Sequence, residues 1–365
     1  MILKKIYLFI AVFSISLSTV ANELPKKTSL YHVAGRVEIL KDGNTVLIGS
    51  ASSITFEFTD ANCEVTLQST DSDHHNYVVF ELDGNYLGRF RIEKGSAQNF
   101  PIKTTKKQSK HRLTIYKATE AANGSVLFLG TTAHLKKFEL KKKKKVEFIG
   151  DSITCGFGND VVSIPCGSGE WYDQHNGYMA YGPQLARTLD FDYVLSSVSG
   201  YGMYRNWNDE HQDEPIIPDV YENLYLNKNT SKPYNFTFQP DLVSICLGTN
   251  DLSDGDGTKP RLPFNEEKYV SNYLEFIKTV YKHAPNTRID LINSPMATGD
   301  RNVTLVNCLK KVIKAFENDK AHQPIALFEF QPMTPNGCGT HPDIADDKIM
   351  ADELLPTFKK LLNEQ

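Results

Sequence analysis

Four residues carry the chemistry this chain can do, and each sits at a turn next to an apolar run or ahead of a helix. Ser152 follows a short strand in VEFIGDSITCGFGN (Val146–Asn159), Gly200 lies in SVSGYG, Asn250 in LGTND and His341 in GTHPD. A serine hydroxyl is a weak nucleophile until a base takes its proton. His341 is the favoured base, because an imidazole exchanges a proton near neutral pH. Attack on an acyl carbon then loads negative charge on oxygen, and each fixed donor aimed at that oxygen is worth ~10²–10³ in rate. The candidate donors are the Ser152 N–H, the Gly200 N–H and the side-chain amide of Asn250, with Gly202 a rival to Gly200. Asp151 and Asp251 are expected to brace these loops rather than react.

The elements that must position the four residues are legible as hydrophobic rhythm. From Val146 the chain alternates strand, loop and helix. Apolar strands are predicted at Tyr193–Ser197, Leu242–Leu247, Ile289–Ile292 and Ile325–Phe330. Helices are predicted at Gly177–Leu189, Glu267–Lys282, Val303–Phe316 and Ile344–Leu362, the second with Val270, Leu274, Ile277 and Val280 at helical spacing. Five strands separated by helices imply a parallel sheet covered on both faces, and such sheets place ligands at the carboxyl ends of their strands. The polar-aromatic stretch Tyr201–Phe238 is long for a loop and is expected to wall the site.

Before Val146 there is no helical period. Short alternating runs (Val37–Leu40, Thr45–Ile48, Ile54–Phe58, Val65–Gln68, Tyr77–Leu82, His111–Tyr116, Val126–Leu129) are broken by turns such as Asp83-Gly84-Asn85. This pattern predicts an all-β sandwich of jelly-roll type. Residues 1–21 have the makings of a signal peptide: Lys4 and Lys5, the apolar run Ile6–Leu17, and Thr19-Val20-Ala21 as a cleavage site. The expected organisation is therefore a signal at 1–21, a β-sandwich at 22–142 and a three-layer α/β domain with a five-stranded parallel sheet at 143–365. The lysine run Lys141–Lys145 is read as a connector.

A net charge of −4 gives no electrostatic case for nucleic acid. The apolar run of the leader is short of the about 20 residues a span needs, and no other stretch could cross a membrane, so export to the periplasm or outside the cell is expected without stable membrane insertion. Export permits disulfides, and Cys155–Cys166 is the expected bridge, pinning the loop after Ser152, with Cys246 a free core thiol. No cofactor or metal is expected. His74-His75 finds no third ligand and is read as a surface turn, and Asp254–Gly257 lacks the spacing of a calcium loop.

In this order, Ser152, Gly200, Asn250 and His341 resemble the four signature blocks of the SGNH/GDSL hydrolases. HRLTIYKATEAANG, VEFIGDSITCGFGN, NGYMAYG, SGYGMYRN, LGTND and GCGTHP together resemble carbohydrate esterase family 2 over nearly the whole mature chain. That resemblance implies a jelly-roll domain joined to an SGNH hydrolase domain, and removal of O-acetyl groups from xylan, glucomannan or related sugars through Ser152 and His341. In the superfamily an Asp commonly precedes the histidine by three residues, and in some family members by two. Here those positions are Cys338 and Gly339. The imidazole is thus expected to rest on a main-chain carbonyl, that of Thr340, giving a Ser-His dyad, with a distant carboxylate or the nearby Asp343 the other options. Trp171, Tyr201 and Trp207, with Tyr172 and Tyr204, are the aromatic candidates for stacking on sugar rings. The rival functions are an SGNH lipase, thioesterase or arylesterase, and a glycan-binding protein with a decayed catalytic site.

Overall fold

The computed structural model describes residues 30–104, 110–139, 141–211 and 214–363. The expected signal segment lies outside the described residues.

The amino-terminal half is two antiparallel sheets. One runs in the order Tyr31–Ala34, Ser53–Phe58, His111–Lys117, Asn76–Leu82, Asn85–Ile92, with Leu135–Lys136 also pairing onto Ser53–Phe58. The other runs Val37–Ile39, Thr45–Leu47, Val126–Thr131, Asn62–Ser69, Gln98–Lys103. Alternate residues point inward from each strand, so Phe56, Phe58, Val78, Phe80 and Ile115 of one sheet meet Leu47, Val65, Leu67 and Phe128 of the other in one core. Four strands escaped the sequence pattern: Tyr31–Ala34, Asn85–Ile92, Gln98–Lys103 and Leu135–Lys136. Gln98–Lys103 contains Pro101, which is tolerated because the strand is an edge. Asn85–Ile92 is also an edge, and most of its residues are exposed or half-buried, so it lacks the apolar alternation of an inner strand.

The carboxyl-terminal half is a parallel five-stranded sheet in the order Asp192–Ser197, Lys145–Gly150, Leu242–Cys246, Arg288–Ile292, Ala326–Phe328. Its two faces bury alternate residues of the same strands. Ile149, Val243, Ile245, Ile289 and Leu291 pack on the helices Glu266–His283 and Gly299–Ala315. Val146, Phe148, Leu242 and Ile292 pack on Tyr181–Leu189 and Ile344–Asn363, where Phe148 and Phe358 stack with ring centroids 5.7 Å apart. The helix expected over Gly177–Leu189 is split: a 3₁₀ turn at Gly177–Met179, then Ala180 in extended conformation capping Tyr181–Leu189.

Register decides where the site is. Gly150 pairs with Ser197 on one side and Cys246 on the other, so three adjacent strands end level. Ser152, Gly200 and Asn250 follow those three ends and are delivered to one edge. Lys145 begins its strand, while Lys143 and Lys144 pair with Asp190 and Asp241, so the lysine run is a strand lead-in.

The two halves interlock through buried polar groups. Arg36 of the sandwich is fully buried in the α/β half, donating to Ser196 Oγ and to the carbonyls of Asn223 and Tyr221, with its guanidinium 3.8 Å from the Tyr234 ring centroid. His75, read from the sequence as part of a surface turn, is buried and pairs with Asp173 across the same boundary; only His74 is exposed, held by Asp71.

Candidate active site

Asp151 caps the short turn Ser152–Cys155, its carboxylate accepting from the Ile153 N–H at 3.1 Å. Gly150 ahead of it leaves no room for a side chain, because a Cβ would run into Thr154. The turn presents a buried Ser152 with its N–H at the first helical position, where no intrahelical acceptor exists.

His341 arrives from the other end of the chain. Its Nε2 lies 2.8 Å from Ser152 Oγ, and its Nδ1 lies 2.9 Å from the carbonyl oxygen of Gly339. A carbonyl only accepts, so Nδ1 carries the proton and Nε2 offers its lone pair to the serine hydroxyl. Gly339 (φ 60°) and Thr340 (φ 61°) are both left-handed, which curls the chain back so that Gly339 O faces the ring. The supporting carbonyl is thus Gly339's and not Thr340's. Asp343 is spent elsewhere, capping the final helix through the Ala345 and Asp346 N–H groups. Burial lowers the His341 imidazole to about 4.

The turn that carries His341 is stapled by a disulfide. Cys338 pairs with Cys166, 172 residues away, and the Cys338 N–H donates to Gly158 O at 2.9 Å. The expected Cys155–Cys166 bridge is not formed. Cys155 is buried in the nucleophile turn, with its thiol facing Glu120 at 3.3 Å and Ser197 at 3.2 Å. Cys246 is a free buried thiol.

On the neighbouring strand end, Gly200 adopts φ +79° and its N–H meets no acceptor among the described residues. The rival Gly202 has its N–H taken by Asn206 Oδ1 at 3.1 Å. Asn250 is buried and its amide nitrogen donates to Tyr201 O at 2.9 Å and to Asp151 Oδ2 at 3.2 Å. Burial pushes the Asp151 carboxyl up to about 7, with Asp251 adding to the rise. Asp251 accepts from the N–H groups of Met203, Tyr204 and Arg205, fixing the chain that follows Gly200.

Of the aromatic candidates, Trp171 is 53% and Trp207 46% exposed, while Tyr172 and Tyr204 are buried and offer no free face. Trp171 stacks on Phe157, whose ring in turn lies 4.4 Å from the His341 imidazole. The Trp207 N–H donates to Gly200 O, and Tyr201 lines a groove between the two halves with Asp71, Ala121, Tyr225 and Asn227. Two exposed tryptophans are therefore connected to the centre, Trp171 through Phe157 and Trp207 through its backbone bond to Gly200.

Three neighbours are not singled out by the sequence pattern, although Glu120 and Phe157 lie inside the blocks HRLTIYKATEAANG and VEFIGDSITCGFGN. Phe157 packs against both His341 and His175, His175 Nδ1 accepts from the Gly158 N–H at 3.3 Å, and Glu120 reaches in from the sandwich. Each finds its partners far along the chain. Among the described residues no three His, Cys, Asp or Glu side chains gather as metal ligands.

Comparison with known proteins accounts for both halves. Residues 33–141 match the family Carbohydrate esterase 2 N-terminal, and residues 148–348 match the GDSL-like Lipase/Acylhydrolase family. The chain is 30% identical over 336 residues to an acetylxylan esterase / glucomannan deacetylase of Cellvibrio japonicus, covering 89% of each protein. The chain belongs to carbohydrate esterase family 2. A family two carbohydrate esterase from Clostridium thermocellum, solved in complex with cellohexaose, superposes with a TM-score of 0.76 at 26% identity, over 90% of this chain and 98% of that one. A family two carbohydrate esterase structure from Cellvibrio japonicus gives 0.80 at 22% identity, over 92% and 96%, and shares the fold. As a family 2 carbohydrate esterase, this protein is a carboxylic ester hydrolase of the SGNH type, and among its described residues no helix is long and apolar enough to cross a membrane.

Proposed function

We propose that this carbohydrate esterase removes O-acetyl groups from plant-wall polysaccharides such as xylan or glucomannan, outside the cytoplasm, through an acyl-enzyme on Ser152. The observation that carries the mechanism is the 2.8 Å contact between Ser152 Oγ and a His341 ring whose proton is fixed on Nδ1 by Gly339 O. His341 Nε2 takes the hydroxyl proton as Oγ bonds to the acetyl carbonyl carbon. The charge on oxygen is met by the Ser152 and Gly200 N–H groups and by the Asn250 amide, which gives up its longer bond to Asp151. The tetrahedral adduct collapses as Nε2–H protonates the departing sugar oxygen, which leaves as the hydroxyl. Water, deprotonated by the same nitrogen, then attacks the acetyl-serine carbonyl carbon, and as the C–Oγ bond breaks Nε2–H returns that proton to Ser152 Oγ, releasing acetate.

The acetylated polysaccharide is supported by the named activity of the relative from Cellvibrio japonicus. The exposed faces of Trp171 and Trp207 suit sugar rings. Export is supported by the charged and apolar start of the sequence.

The test is acetate release from acetylated xylan and glucomannan, followed by NMR for the position deacetylated. The Ser152→Ala protein is expected to release acetate at background. Release at the parental rate would overturn the mechanism, and preference for octanoyl over acetyl esters would overturn the substrate class.

A further inference from the structure

The sandwich is more than a neighbour of the catalytic half. Its loop after His111–Lys117 sends Glu120, fully buried, beneath the Ser152 turn. The loop is held from within: Lys117 Nζ donates to Thr119 O and Thr119 Oγ1 at 3.0 Å and to Glu120 O at 2.6 Å. Glu120 Oε2 accepts from the Ser199 N–H at 2.7 Å and faces the Cys155 thiol at 3.3 Å. Glu120 Oε1 lies 3.5 Å from His175 Nε2. His175 Nδ1 accepts from Gly158, so Nε2 bears the proton; it faces Glu120 Oε1 across 3.5 Å as a charge neighbour, without completing a hydrogen bond.

One carboxylate thereby touches three limbs of the centre. Ser199 is the residue before Gly200. Cys155 closes the turn begun by Ser152, and its carbonyl is separately held by Ser50 Oγ of the sandwich at 2.6 Å. His175 and His341 lie on the same Phe157 ring, at centroid distances of 4.5 and 4.4 Å. Burial alone would raise the Glu120 carboxyl, but the neighbouring His175 and the bond from Ser199 outweigh it and hold the group below its ordinary value, hence ionised. A buried carboxylate is costly unless it is compensated; Oε2 meets the Ser199 N–H and the Cys155 thiol, and Oε1 faces only His175, so these contacts tie the three limbs to one group.

We propose that Glu120 is a positioning residue for ester hydrolysis: supplied by the amino-terminal sandwich, it fixes the Gly200 N–H relative to the Ser152 turn and makes the sandwich an integral part of the oxyanion-binding site. This inference rests on the Ser152–His341 reading above.

The test compares Glu120→Ala, Glu120→Asp and Glu120→Gln in the full chain with 4-nitrophenyl acetate, alongside Ser152→Ala and a thermal melt of each. Alanine removes the acceptor and aspartate withdraws it by one methylene. Displacing an oxyanion donor costs ~10²–10³ in kcat, so alanine is expected to lower kcat about 100-fold and aspartate about 10-fold, with KM within about twofold. Glutamine keeps an acceptor for Ser199 and is expected to recover to within about tenfold of the parent. The Ki of a trifluoromethyl ketone, which forms an oxyanion on Ser152, is expected to rise in step with the loss of kcat; a purely structural role would move the melting temperature but leave that ratio alone. If alanine does not fold, aspartate carries the test. Parental kcat in the aspartate protein, or a fall in kcat with an unchanged ketone Ki, overturns the proposal. Parental activity in Ser152→Ala would instead overturn the reading beneath it.

Discussion

The His341 imidazole donates to the carbonyl of Gly339, two residues earlier in its own turn, at 2.9 Å. A carboxylate partner would do two things for the base: fix its tautomer and stabilise the imidazolium. The carbonyl does the first fully and the second only as a dipole. The energetic consequence falls on the protonated state, and it shapes what the enzyme should do with pH.

His341 must be neutral to act as base, and burial holds it at about 4. The group is therefore unprotonated from about pH 5 upward, and kcat/KM is expected to rise through pH 4 and lie flat across pH 6–8. A profile measured with 4-nitrophenyl acetate checks this. A half-maximum above pH 6 would mean that a negative charge supports the imidazole after all.

Asp343 is the carboxylate nearest in sequence, and it caps the helix Ile344–Asn363 instead. Asp343→Ala is expected to cost about 1 kcal/mol of stability, as the loss of an N-cap does. Its kcat should stay within about twofold of the parent. Loss of activity of the order seen on removing a triad acid, about 10⁴-fold, would reassign Asp343 to the catalytic machinery.

How far the sequence could be read follows from the range of each signal. The level ends of three strands put Ser152, Gly200 and Asn250 on one edge, and those strands announce themselves as apolar runs closed by turns. The support of His341 was harder. Every residue has a carbonyl, so a main-chain acceptor leaves no mark in residue type; only the two left-handed positions, Gly339 and Thr340, decide which one serves. Glu120 lies 35 and 79 positions from Cys155 and Ser199; its block HRLTIYKATEAANG is distinctive, but nothing in it points a carboxylate at partners so far along the chain. The Cys166–Cys338 pairing fails for the same reason: proximity in sequence favoured Cys155, but that thiol faces the buried floor of the site, away from Cys166.

The disulfide joins the loop before Trp171 to the turn that carries His341. Closing 172 residues corresponds to up to about 5 kcal/mol on the loop-entropy estimate. Cys166→Ser with Cys338→Ser is expected to lower the melting temperature clearly and to reduce kcat, since Gly339 is the next residue after Cys338. Treatment of the parent with dithiothreitol should reproduce both effects. Unchanged kcat in the reduced protein would show that backbone bonds such as Cys338 N–H to Gly158 O suffice to hold the turn.

Trp171 is the exposed end of an aromatic stack that runs through Phe157 to His341, and Trp207 is tied by its backbone to Gly200. If both faces bear on sugar, Trp171→Ala and Trp207→Ala should raise KM for acetylated xylan roughly 3- to 10-fold, the scale of an aromatic contact worth about 0.5–1.5 kcal/mol. Neither should alter KM for 4-nitrophenyl acetate, which has no sugar to stack. An equal effect on both substrates would place the tryptophans in the structure of the site and not in glycan recognition.

Asp290, in the central sheet opposite Ser244, is buried with both carboxyl oxygens lacking a hydrogen-bond partner among the described residues. Burial raises its carboxyl from 3.8 to about 7. The folded chain therefore keeps a proton there that the unfolded chain releases above pH 4. Between about pH 4 and 7 the unfolded state gains from ionising while the folded state does not, so this group's contribution to stability declines as pH rises through that window and stays low above it. Asp290→Asn has nearly the same shape and no charge to acquire. Its melting temperature is expected to match the parent near pH 4 and to exceed it at pH 8. Equal melting temperatures at pH 8 would mean that the carboxylate finds compensation on ionising, from a buried water or from a shift of the strand.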